Sequence, residues 1–446
     1  MGLVKVEYSW SRTYRLKLQN LIQLVFLAGV KESFASAFVC ILCLSLFTQT
    51  LTMAEENKQL TAVVQGNSLF TRNLYQILAK EKQKNIFFSP ISIHAVLAMA
   101  SQGSGGKTQK AFTDALQVPS ISTLAQGYQD AMTKLNSVQD VTLHMANKIY
   151  LKESYSLKDA FRKTVSDNFF SEVQSINFEE NAAAAKTINT WVEDKTNNKI
   201  QDLIKPDDVD KTTRLVLVNA IYFKGKWAEP FKPSETQTEK FYLNDNDTID
   251  VSMMHIKKKF FYKNDESLDA KVLELPYTNK DLSMIVILPN KRNGIDELEA
   301  KLANYDLSNI TADMYKPEVI VALPKFKIEA TIQLNDPLTE LGLGEIFSDS
   351  ADFSGMLNSP EELKVSKVIQ KAFIEVNEEG AEAAAATGLK VIMKRSLDIS
   401  PIEEFKCDRP FFVIFIFRHQ PISNVLFKGK IFHPGLAELV KTHDEL

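Results

Sequence analysis

The apolar positions in the first half of the chain recur with the spacing of helices. Within residues 66–82, Phe70, Leu74 and Leu78 follow one another at intervals of four, which predicts an amphipathic helix. Ser89 and Pro90 then form a helix start, with serine as the capping residue and proline in the first turn. Further helices are predicted over residues 107–117, 121–137, 155–170 and 181–199.

Short runs of β-branched and aromatic residues predict strands, most of them in the second half of the chain. The predicted strands are Asn85–Phe88, Val141–Leu151, Arg214–Lys224, Val272–Leu275, Ser283–Leu288, Val319–Ile328, Lys364–Val376, Phe411–Arg418 and Asn424–Phe432. Predicted helices are concentrated in the first half of the chain and long antiparallel strands in the second half. This order favours an α+β domain with large sheets. No repeat or low-complexity linker divides residues 60–436, so we expect one domain there.

Composition and charge narrow the class of protein. The 446 residues are 45% hydrophobic and 24% charged, which is typical of a globular chain. A net charge of -4 gives no general case for nucleic-acid binding, and the basic run Lys257–Lys259 is interpreted as a solvated strand end or loop. Cys40 and Cys43 lie in an apolar run and Cys407 stands alone, so the core must stabilise the fold without disulfides.

Motifs for catalysis and for metal binding are missing from the sequence. Residues 102–108 nearly form a phosphate-binding loop, but Ser101 stands where the pattern needs glycine and a helix precedes it. The six histidines show no metal-ligand spacing, and the carboxylates mark no acid/base pair. We therefore predict no metal, no cofactor and no catalytic residue, and an enzyme is a poor first hypothesis.

The N-terminus resembles a signal sequence for the secretory pathway. Basic residues precede an apolar run, Ala37–Phe47, which has the length of a signal-peptide core and is too short for a comfortable membrane span. Residues 1–54 are predicted to be a signal peptide cut after Ala54, or an uncleaved signal anchor. Initiation at Met53 would remove this address and leave the protein in the cytosol.

The C-terminus carries a second targeting signal. The last four residues are His443, Asp444, Glu445 and Leu446. They end a tail over residues 437–446 and form HDEL, which a receptor reads to retain proteins in the endoplasmic reticulum. Glycosylation motifs at Asn246 and Asn309 are compatible with this route. We predict retention in the lumen of the endoplasmic reticulum, with the HDEL receptor as a partner.

Five stretches of sequence together resemble the serpins, a family of serine protease inhibitors. They are NIFFSPISI (85–93), LVLVNAIYFKGKWAEPF (215–231), LPKFKIEATIQL (323–334), KAFIEVNEEGAEAAAAT (371–387) and FKCDRPFFVIF (405–415). The resemblance covers residues 67–434 and is to insect-type inhibitory serpins with a dibasic reactive site. It implies a monomer with three β-sheets, eight or nine helices, a reactive loop at about residues 379–400, and a target serine protease as partner.

The resemblance implies that this loop is bait whose N-terminal half inserts into the central sheet after cleavage. The matching hinge residues are Glu378, Glu379, Gly380, Ala381, Glu382, Ala383, Ala384, Ala385, Ala386 and Thr387. In a strand, Ala381, Ala383, Ala385 and Thr387 would share the face towards the core, while Glu382 would face outward. The alternative, an alanine-rich surface helix or flexible loop, explains the alanines but not this alternation.

The loop also offers a bond for cleavage. We favour Arg395-Ser396, because serpins often have serine after the cut; Lys394-Arg395 is the alternative. Either bond presents a basic residue, which fits a trypsin-like protease or a dibasic-cleaving convertase of the subtilisin type. Furin would prefer arginine where Ile392 stands, and Lys390 lies two residues further back.

Other residues of this chain match individual positions that have named roles in the family. The polar cluster beneath the opening sheet, called the shutter, is matched by Ser89, Ser92, Asn219 and Gln370. The family often has histidine at Gln370, but glutamine also donates and accepts hydrogen bonds, so a network is expected. Trp227 matches the tryptophan where insertion begins, called the breach. Lys325 and Glu378 match a pair that bridges the hinge strand to its neighbour.

Two further expectations concern activity. The helix that binds heparin in many serpins corresponds to residues 121–138, which contain only Lys134 among basic residues, so no strong heparin activation is expected. A non-inhibitory chaperone of the endoplasmic reticulum is the alternative function. Loops of that type usually lose the run of small residues that this chain keeps.

Overall fold

A computed structural model describes residues 58–138, 141–359, 361–380, 401–419 and 422–435. The chain divides into two compact units, Met1–Lys58 and Gln59–Leu446, and the fold described below belongs to the second. The predicted signal region, the small residues after Gly380, the reactive bond and the C-terminal tail lie outside the described residues.

The helices follow the predicted order. They are α1 (58–78), α2 (Pro90–Ser101), α3 (Gly106–Ala115), α4 (Ile121–Asn136), α5 (Asp159–Phe169), α6 (Asn181–Lys195), α7 (Ile295–Leu302) and the single turn α8 (Asn335–Leu338). All twelve residues of α2 are buried, and most of them are apolar. α7 was not predicted from the sequence.

The strands form three sheets. In chain order they are β1 (Ile86–Phe88), β2 (Val141–Lys152), β3 (Val173–Ile176), β4 (Leu215–Gly225), β5 (Gln237–Tyr242), β6 (Thr248–Lys259), β7 (Phe261–Asp265), β8 (Ala270–Pro276), β9 (Leu282–Pro289), β10 (Glu318–Pro324), β11 (Phe326–Gln333), β12 (Lys367–Val376), β13 (Glu403–Lys406), β14 (Phe411–His419) and β15 (Ile422–Ile431). The sheet orders are β1-β15-β14-β9-β8-β7, β13-β10-β6-β5 and β11-β12-β4-β2-β3. The α+β class and three sheets agree with the prediction.

One predicted strand is wrong. The apolar run Val319–Ile328 forms two strands, and the break falls at Lys325. β10 before the break pairs with β6, whereas β11 after it pairs with β12 in another sheet. The Lys325 N–H still donates to the carbonyl oxygen of Ser252 in β6, and Phe326 already pairs with Val376 of β12, so the chain changes sheets within one residue.

The five-stranded sheet has apolar residues on both faces. Leu217 and Ile221 of β4 belong to the large core that contains α2. Val216 and Val218 of the same strand belong to a second core with Ile188 of α6. Alternation along a strand sends neighbouring residues to opposite faces, so this sheet is covered by helices on both sides.

Candidate functional site

The boundary between β4 and β12, here called the seam, is the central feature of the five-stranded sheet. The two strands run parallel and are direct neighbours, with Lys367 opposite Val216 and Phe373 opposite Tyr222. Pairing stops there, although β12 continues to Val376 and β4 to Gly225. The strands therefore separate over their last three residues, and this end of the seam is open.

Trp227 closes the open end from the side of β4. Its ring stacks on Tyr277, with ring centroids 4.4 Å apart and an interplanar angle of 13°. Its indole Nε1 donates a hydrogen bond of 2.9 Å to the carbonyl oxygen of Asn377, and its backbone N–H donates one of 3.0 Å to that of Glu379. A buried tryptophan thus ties the chain after β12 to the chain after β4.

Glu378 makes the second tie across this end. Its Oε2 lies 2.9 Å from Lys325 Nζ, and its Oε1 accepts a 2.8 Å hydrogen bond from the Thr236 hydroxyl. Burial alone would raise the pKa of Glu378, but the hydrogen bonds from Lys325, from its own backbone N–H and from Thr236 outweigh burial and lower it. The structure therefore brings together the pair that the sequence placed at the hinge.

Gly380 is the last described residue before the predicted bait. Its φ is +99°, a conformation that glycine adopts readily. A Cβ atom at this position would lie 2.3 Å from the carbonyl oxygen of Gly225 and 2.6 Å from the backbone nitrogen of Trp227. The close approach of two backbones therefore requires glycine at the hinge.

A buried polar network crosses the middle of the seam. The Ser89 backbone N–H donates to Gln370 Oε1 at 2.9 Å, and Gln370 Nε2 donates to Asn219 Oδ1 at 2.5 Å. Asn219 Nδ2 then donates to Ser92 Oγ at 2.5 Å. The four predicted shutter residues meet as one network that links α2 to both strands of the seam. Gln370 takes part in the network from both ends of its amide, as donor and as acceptor.

The network has a fifth member that the sequence reasoning missed. Asn147 of β2 lies opposite Asn219 in the strand register, and its Oδ1 accepts hydrogen bonds from Asn219 Nδ2 and from Ser92 Oγ. Its place in the register was not available from the sequence, where it is one of several polar residues in the predicted strand. Asn219 thus supplies a hydrogen-bond donor to the amide oxygen of Asn147 in the adjacent strand.

One predicted role is wrong in detail. Ser89 stands at the N-cap of α2, but its side chain makes no capping hydrogen bond. The Ser89 hydroxyl donates instead to the carbonyl oxygen of Leu426 in β15, at 2.6 Å. Pro90 at the first helical position lacks an N–H that would need a partner, so the helix start needs less capping.

The outer face of the seam is held by basic side chains. Lys371 of β12 is buried, forms a 2.7 Å ion pair with Glu329 and donates to the carbonyl oxygen of Gln201, in the segment after α6. Lys148 of β2 lies 4.9 Å from the centroid of the Trp191 ring in α6. These contacts fasten α6 and the segment that follows it to the sheet.

The segment predicted to be the bait connects two sheets. It leaves β12 at the open end of the seam and re-enters the described fold before β13, which pairs parallel with β10 in the four-stranded sheet. Outside the described residues lie the loop positions Ala381, Glu382, Ala383, Ala384, Ala385, Ala386, Thr387, Lys390, Ile392, Lys394, Arg395 and Ser396, and the tail positions His443, Asp444, Glu445 and Leu446.

The remaining predicted sites are on the surface. Asn246 and Asn309 are both exposed, and the run Lys257–Lys259 is an exposed strand end, as predicted. Within the described ranges, no group of three or more histidine, cysteine, aspartate or glutamate residues is arranged to hold a metal ion. No helix in those ranges is long and apolar enough to cross a bilayer.

Comparisons with known proteins agree with this geometry. Residues 65–434 match the family model described as Serpin (serine protease inhibitor). Antichymotrypsin-2 of Bombyx mori is 38% identical over 83% of this chain and 97% of that protein. Alaserpin of Manduca sexta is 38% identical over 86% of this chain and 97% of that protein.

Solved structures give the same result. Serpin48, a highly specific serpin of the insect Tenebrio molitor, superposes with a TM-score of 0.75 and 34% identity, over 84% of this chain and 98% of its own. Cleaved Serpin 42Da superposes with a TM-score of 0.74 and 37% identity, over 85% of this chain and 100% of its own. With a family model over most of its length and relatives of this identity and coverage, the chain belongs to the serpin family of serine protease inhibitors.

Proposed function

We propose that this protein inhibits serine proteases as a suicide substrate. Serpins are protease inhibitors and bind target serine proteases. The proposed mechanism begins when the protease attacks the bait at residues 379–400 and forms an acyl-enzyme. The segment after β12 then inserts into the seam and carries the protease away before hydrolysis is complete. The observation that carries this proposal is the seam, whose strand β12 leads directly into the bait.

The geometry of the seam suits one added strand. A segment that reverses direction after Gly380 would run antiparallel to both β4 and β12 and form a hydrogen-bond ladder on each side. Insertion breaks the direct pairing of residues 367–373 with 216–222 and replaces it with two ladders. Each net backbone hydrogen bond contributes about 1 kcal/mol, so the inserted state gains stability. Small residues on the core-facing side keep the steric cost of insertion low.

The sequence of the bait defines the class of target. We propose Arg395-Ser396 as the reactive bond, with Lys394-Arg395 as the second candidate. The basic residue before the cut requires an acidic specificity pocket in the protease. The target is thus a trypsin-like enzyme or a dibasic-cleaving convertase of the subtilisin type. Because α4 offers Lys134 as its only basic residue, heparin is not proposed as an activator.

We also propose that the inhibitor is retained in the lumen of the endoplasmic reticulum by the HDEL receptor. The apolar run Ala37–Phe47 and the terminal HDEL support this placement. The exposed positions of Asn246 and Asn309 leave both available for glycosylation. Loss of an endoglycosidase-sensitive mobility shift in the double Gln variant would support the placement. An unglycosylated protein in the cytosolic fraction would favour initiation at Met53 instead.

The inhibitory mechanism is tested on a denaturing gel. The purified protein is mixed with trypsin and, separately, with a dibasic-cleaving convertase, and the released C-terminal peptide is sequenced. A stable covalent band with a peptide that begins at Ser396 is the expected result. A peptide that begins at Arg395 would move the reactive bond to Lys394-Arg395.

The same gel distinguishes the alternative function. Clean cleavage by both proteases without a covalent band would make the bait an ordinary substrate. The HDEL signal would then favour a non-inhibitory chaperone of the endoplasmic reticulum. That function is tested by measuring binding to unfolded client proteins.

A further inference from the structure

Large apolar side chains are exposed together at one end of the four-stranded sheet. Those that are exposed in the described part of the chain are Leu69, Phe170, Phe261, Tyr315, Ile320 and Ile402. The last four, here called the patch, lie where β10 and β13 begin and where β6 passes into β7. Single exposed apolar residues are common on protein surfaces, whereas a contiguous group marks an interaction surface.

Two members of the patch lie on one face of the sheet. β10 and β13 run parallel, with Ile320 opposite Glu404. Ile402 directly precedes β13 and stands two positions before Glu404, so alternation places its side chain on the face that Ile320 occupies. Ile402 is 52% exposed and Ile320 is 42% exposed. The two isoleucines therefore present apolar surface to solvent as neighbours on adjacent strands.

The two aromatic members adjoin this pair. The Tyr315 hydroxyl donates to Glu403 Oε1 at 2.9 Å, which places Tyr315 beside the residue that follows Ile402. The Tyr315 ring also packs edge-on against Tyr262, with ring centroids 5.8 Å apart, and Phe261 is the residue before Tyr262 in β7. These contacts make the patch continuous from β7 to β13.

The rim of the patch is charged. Glu404 is exposed beside Ile320 on one side. On the other side, the neighbour of Ile320 in β6 is Lys257, which forms a 3.1 Å ion pair with Glu318. An apolar centre inside a polar rim is the usual anatomy of a protein–protein interface.

The patch adjoins the point where the predicted bait re-enters the fold. Ile402 stands six positions after Ser396. A chain of that length spans at most about 20 Å. A catalytic domain of about 200 residues has a radius of gyration of about 16 Å and is roughly 40 Å across. A protease bound at Arg395-Ser396 therefore reaches the surface on which Ile402 and Ile320 lie.

We propose that the patch is a second contact surface for the catalytic domain of the target protease. This inference rests on the proposed inhibitory function, because it names the surface that the same protease covers while it attacks the bait. A standard interface buries about 800 Å² on each partner, which takes some 20 residues. The few residues that flank the reactive bond supply only part of that area, so the protease gains from a further apolar surface beside them.

The patch gives the inhibitor a source of specificity outside the bait. Trypsin-like enzymes and dibasic-cleaving convertases both accept a basic residue before the cut, so Arg395 alone does not distinguish them. Specificity is a difference between two affinities. A protease with a complementary apolar surface next to its active site is captured faster than one that offers a charged surface there.

The patch acts only before insertion. In the proposed mechanism the protease stays joined to the residue before the cut and moves away with the segment after β12, whereas the patch stays at the end of the four-stranded sheet. The patch therefore raises the rate at which the protease is captured. It leaves unchanged the fraction of attacks that end in a covalent complex.

The test compares the natural full-length chain with the double variant Ile320→Ser/Ile402→Ser. Trypsin and a dibasic-cleaving convertase are used separately, and progress curves with a small chromogenic substrate give the second-order rate constant of inhibition. For at least one protease, we expect the rate constant to fall about 10-fold with the same stoichiometry of inhibition. Binding of that protease with its nucleophilic serine replaced by alanine should weaken by a similar factor.

Two further variants assign the effect to apolar surface at this place. Ile320→Leu/Ile402→Leu keeps the apolar area and should retain the natural rate constant. Phe170→Ser is the matched control, because Phe170 is 55% exposed but lies at the end of α5, and it should also behave as the natural chain does. Equal losses in Phe170→Ser and in the double Ser variant would overturn the proposal.

Other outcomes separate this inference from the inhibitory function. An unchanged rate constant and unchanged binding of both inactive proteases in the double Ser variant, with the covalent band intact, would refute only the patch. A raised stoichiometry with unchanged binding of the inactive protease would assign the two isoleucines to the seating of the bait instead. A natural chain that binds the inactive protease through the patch but forms no covalent band would refute the inhibitory function and leave the patch standing.

Discussion

At the scale of a single residue, His94 shows what burial does to a titratable group. The side chain is fully buried in α2, its Nδ1 lies 2.6 Å from the Tyr128 hydroxyl, and its Nε2 lies 3.0 Å from the carbonyl oxygen of Leu116. Burial lowers the pKa of His94 to about 4, against the smaller opposing effect of the hydrogen bond to Leu116. The neutral ring donates to Leu116 and accepts from Tyr128.

This shift predicts that acid destabilises the fold through His94. The pKa is lower in the folded than in the unfolded chain, so the unfolded chain binds the extra proton between about pH 6.5 and 4. Stability is then present above pH 6.5 and is lost as the pH falls, by at most about 3 kcal/mol. Urea unfolding at several pH values should show a smaller loss in His94→Gln. An equal loss in both proteins would assign the acid sensitivity to other groups.

The residues of the seam show what the sequence could and could not provide. Ser89, Ser92, Asn219 and Gln370 were predicted to meet, and they do so in one network. Asn147 was missed because its role depends on the register between two strands 72 positions apart in sequence. Residue types carry chemistry, whereas register is set by tertiary packing.

At the scale of an element, Glu378 controls how firmly the open end of the seam is held. Its ion pair with Lys325 is partly exposed, so its contribution is at most about 1 kcal/mol. The lowered pKa of Glu378 means that this contribution is present at neutral pH and lost as acid protonates the carboxylate.

We expect Glu378→Gln to open the seam more readily at neutral pH. On mild heating, the variant should lose inhibitory activity several-fold faster than the natural chain without any cleavage of the loop. Glu375→Gln, in the strand β12 that precedes Glu378, is the matched control. Equal rates in both variants would show that the contact with Lys325 does not restrain the sheet.

The bait offers a test of alternation itself. Ala383 and Ala384 are neighbours, but a strand would send them to opposite faces. Ala383→Arg buries an unpaired charge on insertion and should convert the inhibitor into a substrate that is cleaved without a covalent band. Ala384→Arg, with its charge facing outward, should keep most of the covalent complex. Equal loss in both variants would argue against insertion in this register.

Elements differed in how well the sequence predicted them. β4 was predicted within one residue at each end because nearly all its positions are apolar and buried. β6 was missed because polar and charged residues occupy its exposed face and obscure the pattern. α7 was missed because eight residues give too few turns for a period to stand out.

At the scale of the whole molecule, the arrangement of the sheets determines what one added strand would change. The five-stranded sheet lies between two cores, and its middle strands β4 and β12 form only one ladder with each other. α6 is fastened across its outer face through Lys148 and Trp191. A sixth strand would separate β4 from β12, so α6 has to shift while both cores are kept.

This arrangement predicts that cleavage of the bait raises the stability of the protein. Two ladders replace one, and about ten additional hydrogen bonds at a net value of about 1 kcal/mol each give on the order of 10 kcal/mol. A gain of that size corresponds to a rise in Tm of at least about 10 °C in a chain of this length. Scanning calorimetry on the intact protein and on protein nicked by a non-target protease measures the difference.

The nicked Ala383→Arg variant is the control for that comparison. Its chain is cut at the same place, but the buried charge opposes insertion, so its Tm should stay close to that of the intact form. A rise of the same size in this variant would mean that relief of loop strain, and not the added strand, stabilises the cleaved protein. A natural chain whose Tm does not rise on cleavage would instead lack the energy difference that trapping requires, and the bait would then serve only as a substrate.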